Sequence, residues 1–274
     1  MHPAASNLPD SLPVPGTACA YPAWAPPVKV PLTVLPEHPC SYLPGRVATS
    51  RAFWAGEIPA DVYHEFMDAG FRRSGRLVYQ PVCRGCRACL PIRVPVSTFA
   101  PDKSQRRCVR KNADLQVTTG PPALTDEKIE LYRQYITQWH GGVAQSPDEV
   151  EAFLYESPVE TVEFIYRDGE GKLLGVGICD RCRESLSSVY FYFDPAKANR
   201  RLGTYGAIYE IEYTRAQGIP YYYLGYWIDQ CPSMSYKVGY RPNEVLYPDG
   251  VWRPGGFLFP SRAESTGDRS EELP

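Results

Sequence analysis

The sequence predicts an α+β protein built on a mixed β-sheet, with a cysteine-containing N-terminal domain interleaved with the sheet domain or packed against it. Two observations support this prediction. Helix-like and strand-like segments alternate through the second half of the chain, and a basic segment with evenly spaced cysteines lies in the first half. The 274 residues, 43% of them hydrophobic, can bury one large core or two modest ones.

Hydrophobic residues at helical spacing, together with end signals, predict four helices. Thr125 can cap the second of them, and Ser146 with Glu149 forms a capping box for the third. A glycine follows the first, second and fourth helix and can end it. The predicted helices cover residues 59–69, 126–140, 146–155 and 205–217.

Short runs of β-branched, aromatic and other apolar residues predict six strands. The segment Asp168–Gly171 is a hairpin turn signal between the third strand and the fourth. The predicted strands cover residues 76–80, 90–96, 161–167, 172–178, 187–193 and 221–226.

The order of elements after residue 125 is helix, helix, three strands, helix and strand. This is the order of the acyltransferase fold called GNAT, a mixed sheet with helices on both faces. We therefore expect a GNAT-like domain over residues 119–262, preceded by an N-terminal Cys-rich basic domain over residues 36–118. Residues 1–35 and 263–274 lack a hydrophobic period, and we expect a disordered or irregular arm and a disordered tail there.

Positive charge is concentrated in one segment. Eleven Lys or Arg residues lie between Phe71 and Lys111, against one acid, Asp102, although the whole chain has a formal charge of −2. Such a segment is typical of a surface that binds a polyanion, because each neutralised phosphate releases counterions. A solvated basic face without a partner is the alternative.

No run of about 18 apolar residues occurs, and the N-terminus lacks a basic region followed by a hydrophobic stretch. We therefore expect a cytoplasmic protein with no membrane partner. In that reducing compartment, the nine cysteines indicate metal binding or catalysis before they indicate disulfides.

The spacing Cys83-x-x-Cys86-x-x-Cys89 is the sharpest local signal. Two-residue gaps let successive thiolates turn toward one iron-sulfur cluster or one zinc ion. A fourth ligand is then needed, for which Cys40 is preferred; Cys19, Cys108 and His64 are the alternatives. Reduced thiols packed as small hydrophobic side chains are the competing interpretation.

A glycine-bearing segment, residues 199–206, connects a predicted strand to a predicted helix. Arg200 and Gly203 match the loop with which GNAT enzymes bind coenzyme A, but Tyr205 occupies the last position of that pattern. A bulky side chain there argues against coenzyme A as the donor, because the backbone must approach the pyrophosphate. The aromatic segment 221–241 could stack a base, although such runs are also typical of a sheet core.

Together these segments resemble the arginyl-tRNA–protein transferase family, in its bacterial branch. The resemblance runs from about residue 35 to residue 246 in the family's order. The matching stretches are residues 39–43, 79–83 through to 91–93, 104–107 with 110–112, 190–195, and 226–237.

The resemblance implies transfer of leucine from leucyl-tRNA to the N-terminal Asp or Glu of acceptor proteins, which marks them in the N-degron pathway. The alternative is that arginyl-tRNA is the donor and that arginine is transferred to the same acceptors. A coenzyme-A-dependent GNAT acyltransferase and a metal-containing nucleic-acid-binding module are the other classes. We expect the reaction itself to need no cofactor. The resemblance to eukaryotic relatives suggests an iron-sulfur cluster at the cysteines, and a zinc ion or no metal at all are the alternatives.

The reaction suggests roles for particular side chains. A backbone amide or Lys237 would stabilise the developing oxyanion, and Asp194 or Asp229 would take the proton of the amine. Either carboxylate could instead be a turn or loop residue. An acidic acceptor side chain requires a cation, for which Arg84, Arg87, Lys237 and Arg241 are candidates.

The remaining candidates concern the two substrates. Arg200, Gly203, Tyr226 and Trp227 are expected to bind either the acceptor N-terminus or the aminoacyl end of the tRNA. A second group is basic, with three members on one plausible helical face, and is expected to contact the tRNA backbone: Lys103, Arg106, Arg107, Arg110 and Lys111.

Overall fold

A large mixed β-sheet is the centre of this computed structural model, which describes residues 29–255. In chain order its eight strands are β7 (Leu90–Pro95), β8 (Gln116–Gly120), β9 (Thr161–Arg167), β10 (Leu173–Arg181), β11 (Ser185–Phe193), β12 (Tyr221–Trp227), β13 (Glu244–Leu246) and β14 (Trp252–Pro254). Side by side, the strands lie in the order β14-β13-β7-β12-β11-β10-β9-β8. The α+β class with a large mixed sheet is thereby confirmed.

Strands β8 to β11 form an antiparallel meander. The turn predicted at Asp168–Gly171 joins β9 to β10, and the Gly171 amide donates to the Asp168 carbonyl at 2.9 Å. β10 is buried along nearly its whole length because the helices Asp126–Gln134 and Leu202–Ala216 both pack against it, on opposite faces of the sheet. Both faces are therefore apolar here, and the strand continues three residues beyond its predicted end.

The single parallel pair of this sheet is β11 with β12. A long helix, α5 (Leu202–Ala216), makes the crossover between them, as parallel strands require. The predicted order of three strands, helix and strand is confirmed. β12 then pairs on its other edge with β7, which comes from the N-terminal region of the chain.

A smaller sheet is formed by the N-terminal region. Its strands are β1 (Thr33–Val34), β4 (Ser50–Trp54), β5 (Arg72–Ser74) and β6 (Leu77–Pro81), in the order β1-β4-β6-β5, while β2 (His38–Pro39) pairs with β3 (Val47–Ala48). The helix α1 (Ala60–Asp68) has its own small core with residues from both regions. Since β7 and β8 belong to the large sheet, the two regions are interleaved, and residue 118 lies within β8.

A buried ion pair joins the two regions. Arg73 on β5 contacts Asp180 on β10 through both carboxylate oxygens, at 2.6 and 2.7 Å. Tyr63 and Thr161 donate to the same carboxylate at 3.0 Å each. Neither charged side chain is exposed.

The shorter helices surround the large sheet. α2 (Lys103–Lys111) begins with a capping box of Asp102 and Gln105. α3 (Asp126–Gln134) is capped by Thr125 and continues as a π-helical turn, Tyr135–Trp139. The capping box predicted at Ser146 starts α4 (Pro147–Val150), which also continues as a π-helical turn, Glu151–Tyr155. α6 (Pro232–Ser235) completes the set and leads into a 3₁₀ turn, Tyr236–Gly239.

Two sequence predictions concern the ends of the chain. The predicted tail, residues 263–274, lies outside the described range, as does the predicted arm apart from residues 29–35. Between residues 29 and 255, no helix is long and apolar enough to cross a membrane.

Candidate functional site

The parallel strands of the large sheet separate and open a pocket. β11 and β12 pair only where Ser185–Ser187 face Tyr221–Tyr223, and beyond these residues they diverge. A cavity of about 700 Å³ lies in the opening, lined by both strands, the start of α5 and the segment after α6. Divergence frees backbone groups of both strands to meet a ligand, so the cavity is the natural candidate site.

Two buried cations lie at one end of this pocket, Arg72 and Lys237. Gly225, with φ of +83°, interrupts the pairing of β12 with β7. Carbonyl groups at this interruption are therefore available to side-chain donors. The Gly225 carbonyl accepts from Arg72 Nη2 at 3.4 Å, and the Tyr226 carbonyl accepts from Lys237 Nζ at 2.9 Å. In the described part of the chain, neither cation forms an ion pair with a carboxylate.

The electrostatics of this end favour the binding of an anion. Burial lowers the pKa of Lys237 to about 7, and the positive charge of Arg72 contributes to the lowering. Arg72 stacks on the rings of Tyr223 and Tyr226, and among residues 29–255 its buried Nε finds no acceptor. An anion bound between the two groups would supply the missing counter-charge.

One acidic side chain, Glu210 on α5, reaches the pocket from the helix side. Among the described residues that line the pocket it is the only carboxylate. Its Oε2 accepts from the Tyr222 hydroxyl and from Cys179 Sγ, the latter at 3.4 Å. Burial raises the pKa of Glu210 to about 7, although these hydrogen bonds oppose the rise.

Aromatic rings line the end of the pocket where α3 becomes π-helical. The rings of Trp139 and Phe193 meet edge to face at 5.2 Å, and Tyr135 packs against Phe193 at 5.0 Å. Trp139 is 50% exposed, which leaves a large aromatic surface at the mouth of the pocket. Such an exposed ring can stack a base.

A basic helix flanks the same mouth. α2 carries five exposed cations and is bound to the segment before α5, where Lys111 donates to the Asn199 carbonyl at 2.7 Å and Arg201 to the Ser104 hydroxyl at 2.8 Å. Arg201 lines the pocket and has a left-handed backbone with φ of 56°. Positive charge therefore continues from α2 to the edge of the pocket.

Two family descriptions match this chain. The first, arginine-tRNA-protein transferase N terminus, covers residues 38–107, and the second, arginine-tRNA-protein transferase C terminus, covers residues 127–247. An aspartate/glutamate leucyltransferase of Saccharophagus degradans is 43% identical over 76% of this chain and 90% of the relative.

The chain belongs to the arginine-tRNA-protein transferase family.

Other relatives agree. An aspartate/glutamate leucyltransferase of Thiobacillus denitrificans is 38% identical over 85% of this chain and 98% of the relative. Two solved structures resemble parts of the transferase. L-PGS from Bacillus licheniformis has a TM-score of 0.41 and 14% identity, over 65% of this chain and 52% of that one. FemX has a TM-score of 0.40 and 9% identity, over 62% of this chain and 61% of that one.

Of the three predicted catalytic residues of this transferase, the pocket contains only Lys237. Asp194 is buried at the start of a 3₁₀ turn, where it accepts from the Ala196 amide at 2.9 Å and pairs with Lys172 at 2.7 Å. Asp229 is exposed on the turn after β12. Neither carboxylate lines the pocket, and their catalytic roles stay predictions.

The predicted binding residues of the transferase are also divided. Gly203 and Tyr226 line the pocket, whereas Trp227 is buried in the core with its ring nitrogen donating to the Ser235 carbonyl at 3.2 Å. Arg200 pairs with Asp114 instead of pointing into the pocket. The exposed side chains of Arg84, Arg87 and Arg241 lie elsewhere.

The five residues predicted to contact tRNA are the exposed cations of α2, namely Lys103, Arg106, Arg107, Arg110 and Lys111. The basic segment as a whole is not one surface, however. Arg73 and Arg93 are buried in ion pairs with Asp180 and with Asp68 and Glu244, because these arginines lie on strands that face acidic neighbours. The tRNA contacts themselves stay a prediction.

The four predicted metal ligands are neighbours in space. Cys40, Cys86 and Cys89 pack in one small cluster that also contains Cys231, and the pKa of Cys89 rises to about 12 through burial and the nearby thiols, including Cys83. Between residues 29 and 255, however, no three Cys, His, Asp or Glu side chains are arranged to hold a metal ion. Binding of a metal or cluster by these thiols stays a prediction, and Cys19 lies outside the described residues.

Several functional candidates carry no distinctive signal in the sequence. The helical period places Trp139 on a helix face with core residues, and Arg72 contributes only to the count of the basic segment. Glu210 gives no signal at all. Sequence periodicity shows which face of a helix packs on the sheet. It does not show where the strands of that sheet diverge, so it cannot show which acid of the helix faces the cavity.

Proposed function

We propose that this transferase moves leucine from leucyl-tRNA to the N-terminal Asp or Glu of acceptor proteins. The observation that carries the proposal is the pair of buried cations, Arg72 and Lys237, without a carboxylate partner in a pocket that adjoins a basic helix, within the described residues. The relatives named aspartate/glutamate leucyltransferase support it, since they match most of the chain.

The acidic acceptor side chain would bind between Arg72 and Lys237. A carboxylate there would accept charge-assisted hydrogen bonds and would fill the unused donor of Arg72. Lys237, with its pKa near 7, would take up or retain a proton when the carboxylate binds, because the opposite charge favours the ammonium form. A peptide that begins with a neutral residue would leave both cations unpaired.

The donor would approach from the opposite side. The phosphates of the acceptor stem would lie on α2 and near Arg201, and the 3′-terminal base would stack near Trp139. The leucyl ester would then lie between the aromatic end and the cations, where the strands of the sheet diverge. The pocket would thus bring the two substrates together, which is most of what an ester-to-amide exchange requires.

The reaction would belong to the N-degron pathway, since a new N-terminal leucine marks a protein for degradation. Charged tRNA is a cytoplasmic reagent, and we place the transferase there. The donor could instead be arginyl-tRNA, because the family description that matches the chain is that of the arginine enzymes.

A transfer assay tests the proposal. Labelled leucine or arginine on tRNA is incubated with peptides that begin with Asp, Glu, Asn, Gln, Lys or Ala. We expect leucine on the Asp and Glu peptides alone. Arginine on those peptides would reassign the donor, and no transfer from either tRNA would refute the proposal.

A further inference from the structure

We infer that Glu210 is the base that takes the proton from the α-ammonium group of the acceptor. The inference rests on the proposed function and adds to it the residue that handles the proton. The sequence offers Asp194 and Asp229 for this role, but neither lines the pocket.

The position of Glu210 suits this role. It lies on α5, which covers the opening between β11 and β12, and it is the only carboxylate among the described residues that line the pocket. The two cations at the acceptor end, Arg72 and Lys237, line the same cavity. An N-terminal Asp or Glu that binds them through its side chain carries its α-ammonium group only a few bonds away.

The Glu210 carboxylate also has unused hydrogen-bonding capacity. Oε2 is occupied by the Tyr222 hydroxyl and by Cys179 Sγ. Oε1 accepts a long hydrogen bond from the Tyr166 hydroxyl at 3.4 Å. A carboxylate oxygen has two lone pairs, so Oε1 can still accept a proton or an N–H donor from the substrate.

The neighbouring strand makes space for this carboxylate. A Cβ atom on Gly177 of β10 would overlap Oε1 of Glu210, so the strand needs glycine at this position. Gly177 has no positive φ that would call for glycine on backbone grounds. Because Gly177 has no side chain, the carboxylate of Glu210 can lie flat against the sheet.

The surroundings of Glu210 keep its pKa near neutrality. The titratable groups that face it are Tyr166 on β9, Cys179 on β10, Tyr222 on β12, and Tyr236 and Tyr240 after α6, none of them cationic. Burial without a cation raises the pKa of Glu210 to about 7. A base of that pKa is ionised for much of the time at neutral pH and still accepts a proton readily.

The proposed transfer conserves atoms and charge. The acceptor ammonium group loses one proton to Glu210, and the resulting amine attacks the leucyl carbonyl, so that an N–C bond forms. The ester C–O bond then breaks, and the 3′ oxygen of the tRNA leaves with a second proton from the nitrogen. Glu210 returns its proton to solvent, and one proton is released in each turnover.

The test is the pH dependence of single-turnover transfer in Glu210→Gln. We expect a loss of roughly 10-fold at pH 7, because an α-amine with a pKa of about 7.7–8.0 is only about one-tenth deprotonated there. The loss should shrink above about pH 8, where the free α-amine needs no base. Rates are corrected for spontaneous hydrolysis of the ester. Gln keeps the acceptor oxygen for Tyr222, and Glu212→Gln, on the same helix but partly exposed, is the matched control.

A second variant guards against loss of the fold. Gly177→Ala retains Glu210 but displaces its Oε1, and we expect the same pH-dependent loss. A loss that is equal at every pH, or full activity in Glu210→Gln, would overturn the inference. If wild-type protein transfers no leucine at all, the proposed function fails instead, so the two failures are distinguishable.

Discussion

At the scale of single residues, the pocket is defined by charges that lack acidic partners among the described residues. Arg73 and Arg93 show the usual solution for a buried arginine, since each pairs with one or more carboxylates. Arg72 and Lys237 have backbone carbonyls as acceptors and no acid, in the part of the chain that the structure describes. Leaving two cations buried in this way costs stability, and a substrate carboxylate offsets the cost.

The first prediction concerns specificity. Lys237→Met leaves an unbranched side chain that is one atom shorter and removes the charge. We expect kcat/KM for Asp and Glu peptides to fall about 10- to 100-fold, since a hydrogen bond to a charged group contributes about 1.5–3 kcal/mol. Arg84→Met, which removes an exposed cation outside the pocket, should leave these values unchanged. A similar loss with Arg84→Met would argue against a local effect.

The second prediction concerns pH and stability. The pKa of Lys237 is about 7 in the folded protein, against 10.5 ordinarily, so between these values the unfolded chain holds a proton that the folded protein lacks. The contribution of this residue to the free energy of unfolding therefore rises with pH from 7 to 10.5. Urea unfolding at several pH values should show a smaller rise for Lys237→Met than for wild type. Parallel pH profiles would contradict the prediction.

At the scale of elements, the position of α2 depends on polar contacts with the segment before α5. Lys111, Asn112 and Arg201 make hydrogen bonds between the two segments. Most of the exposed cations of α2 remain free for phosphates, while Gln105 and Cys108 face inward. One face of this nine-residue helix therefore packs against the protein, and the other face presents cations to solvent.

The third prediction follows from this separation. Arg106, Arg107 and Arg110 changed together to Gln should weaken tRNA binding and reduce the slope of log Kd against log salt by about 0.7–0.9 for each phosphate that the helix no longer neutralises. Filter binding at roughly 50–200 mM salt measures the slope. Arg253→Gln, an exposed arginine that pairs with Asp249 outside the pocket, is the control. An unchanged slope would remove α2 from the tRNA surface.

At the scale of the whole molecule, the two regions are held together by shared strands and by a buried polar joint. β7 extends the large sheet on the far side of β12, and Arg73 reaches across to Asp180. Arg72, its neighbour on β5, enters the pocket from the N-terminal region, whereas Lys237 and Glu210 come from the C-terminal region. The site is therefore complete only when both regions are docked.

The fourth prediction tests this joint. Asp180→Ala leaves Arg73 buried without a counter-charge and also removes the acceptor of Tyr63, so we expect the free energy of unfolding to fall by about 3–5 kcal/mol. The exposed pair Arg76 and Glu156, 3.2 Å apart, is the matched control, and Glu156→Ala should cost about 1 kcal/mol or less. Equal effects of the two variants in denaturant unfolding would contradict the prediction.

The sequence by itself determined the family, the class of fold and the order of the central elements. Residues 161–167, 187–193 and 221–226 lie on observed strands because their apolar runs and turn signals are local. The capping residues Thr125 and Ser146 likewise fixed two helix starts. The match to relatives over most of the chain confirmed the resemblance from which the activity was inferred.

Only the tertiary structure decided which residues share the pocket. Asp194 and Glu210 are both buried acids, but one caps a turn beside Lys172 and the other faces the opening of the sheet. Trp227 and Trp139 are both aromatic, and only the second remains half exposed. Spacing along the chain determines which face of an element a side chain occupies, whereas the divergence of β11 from β12 and the docking of two distant regions determine what that face meets.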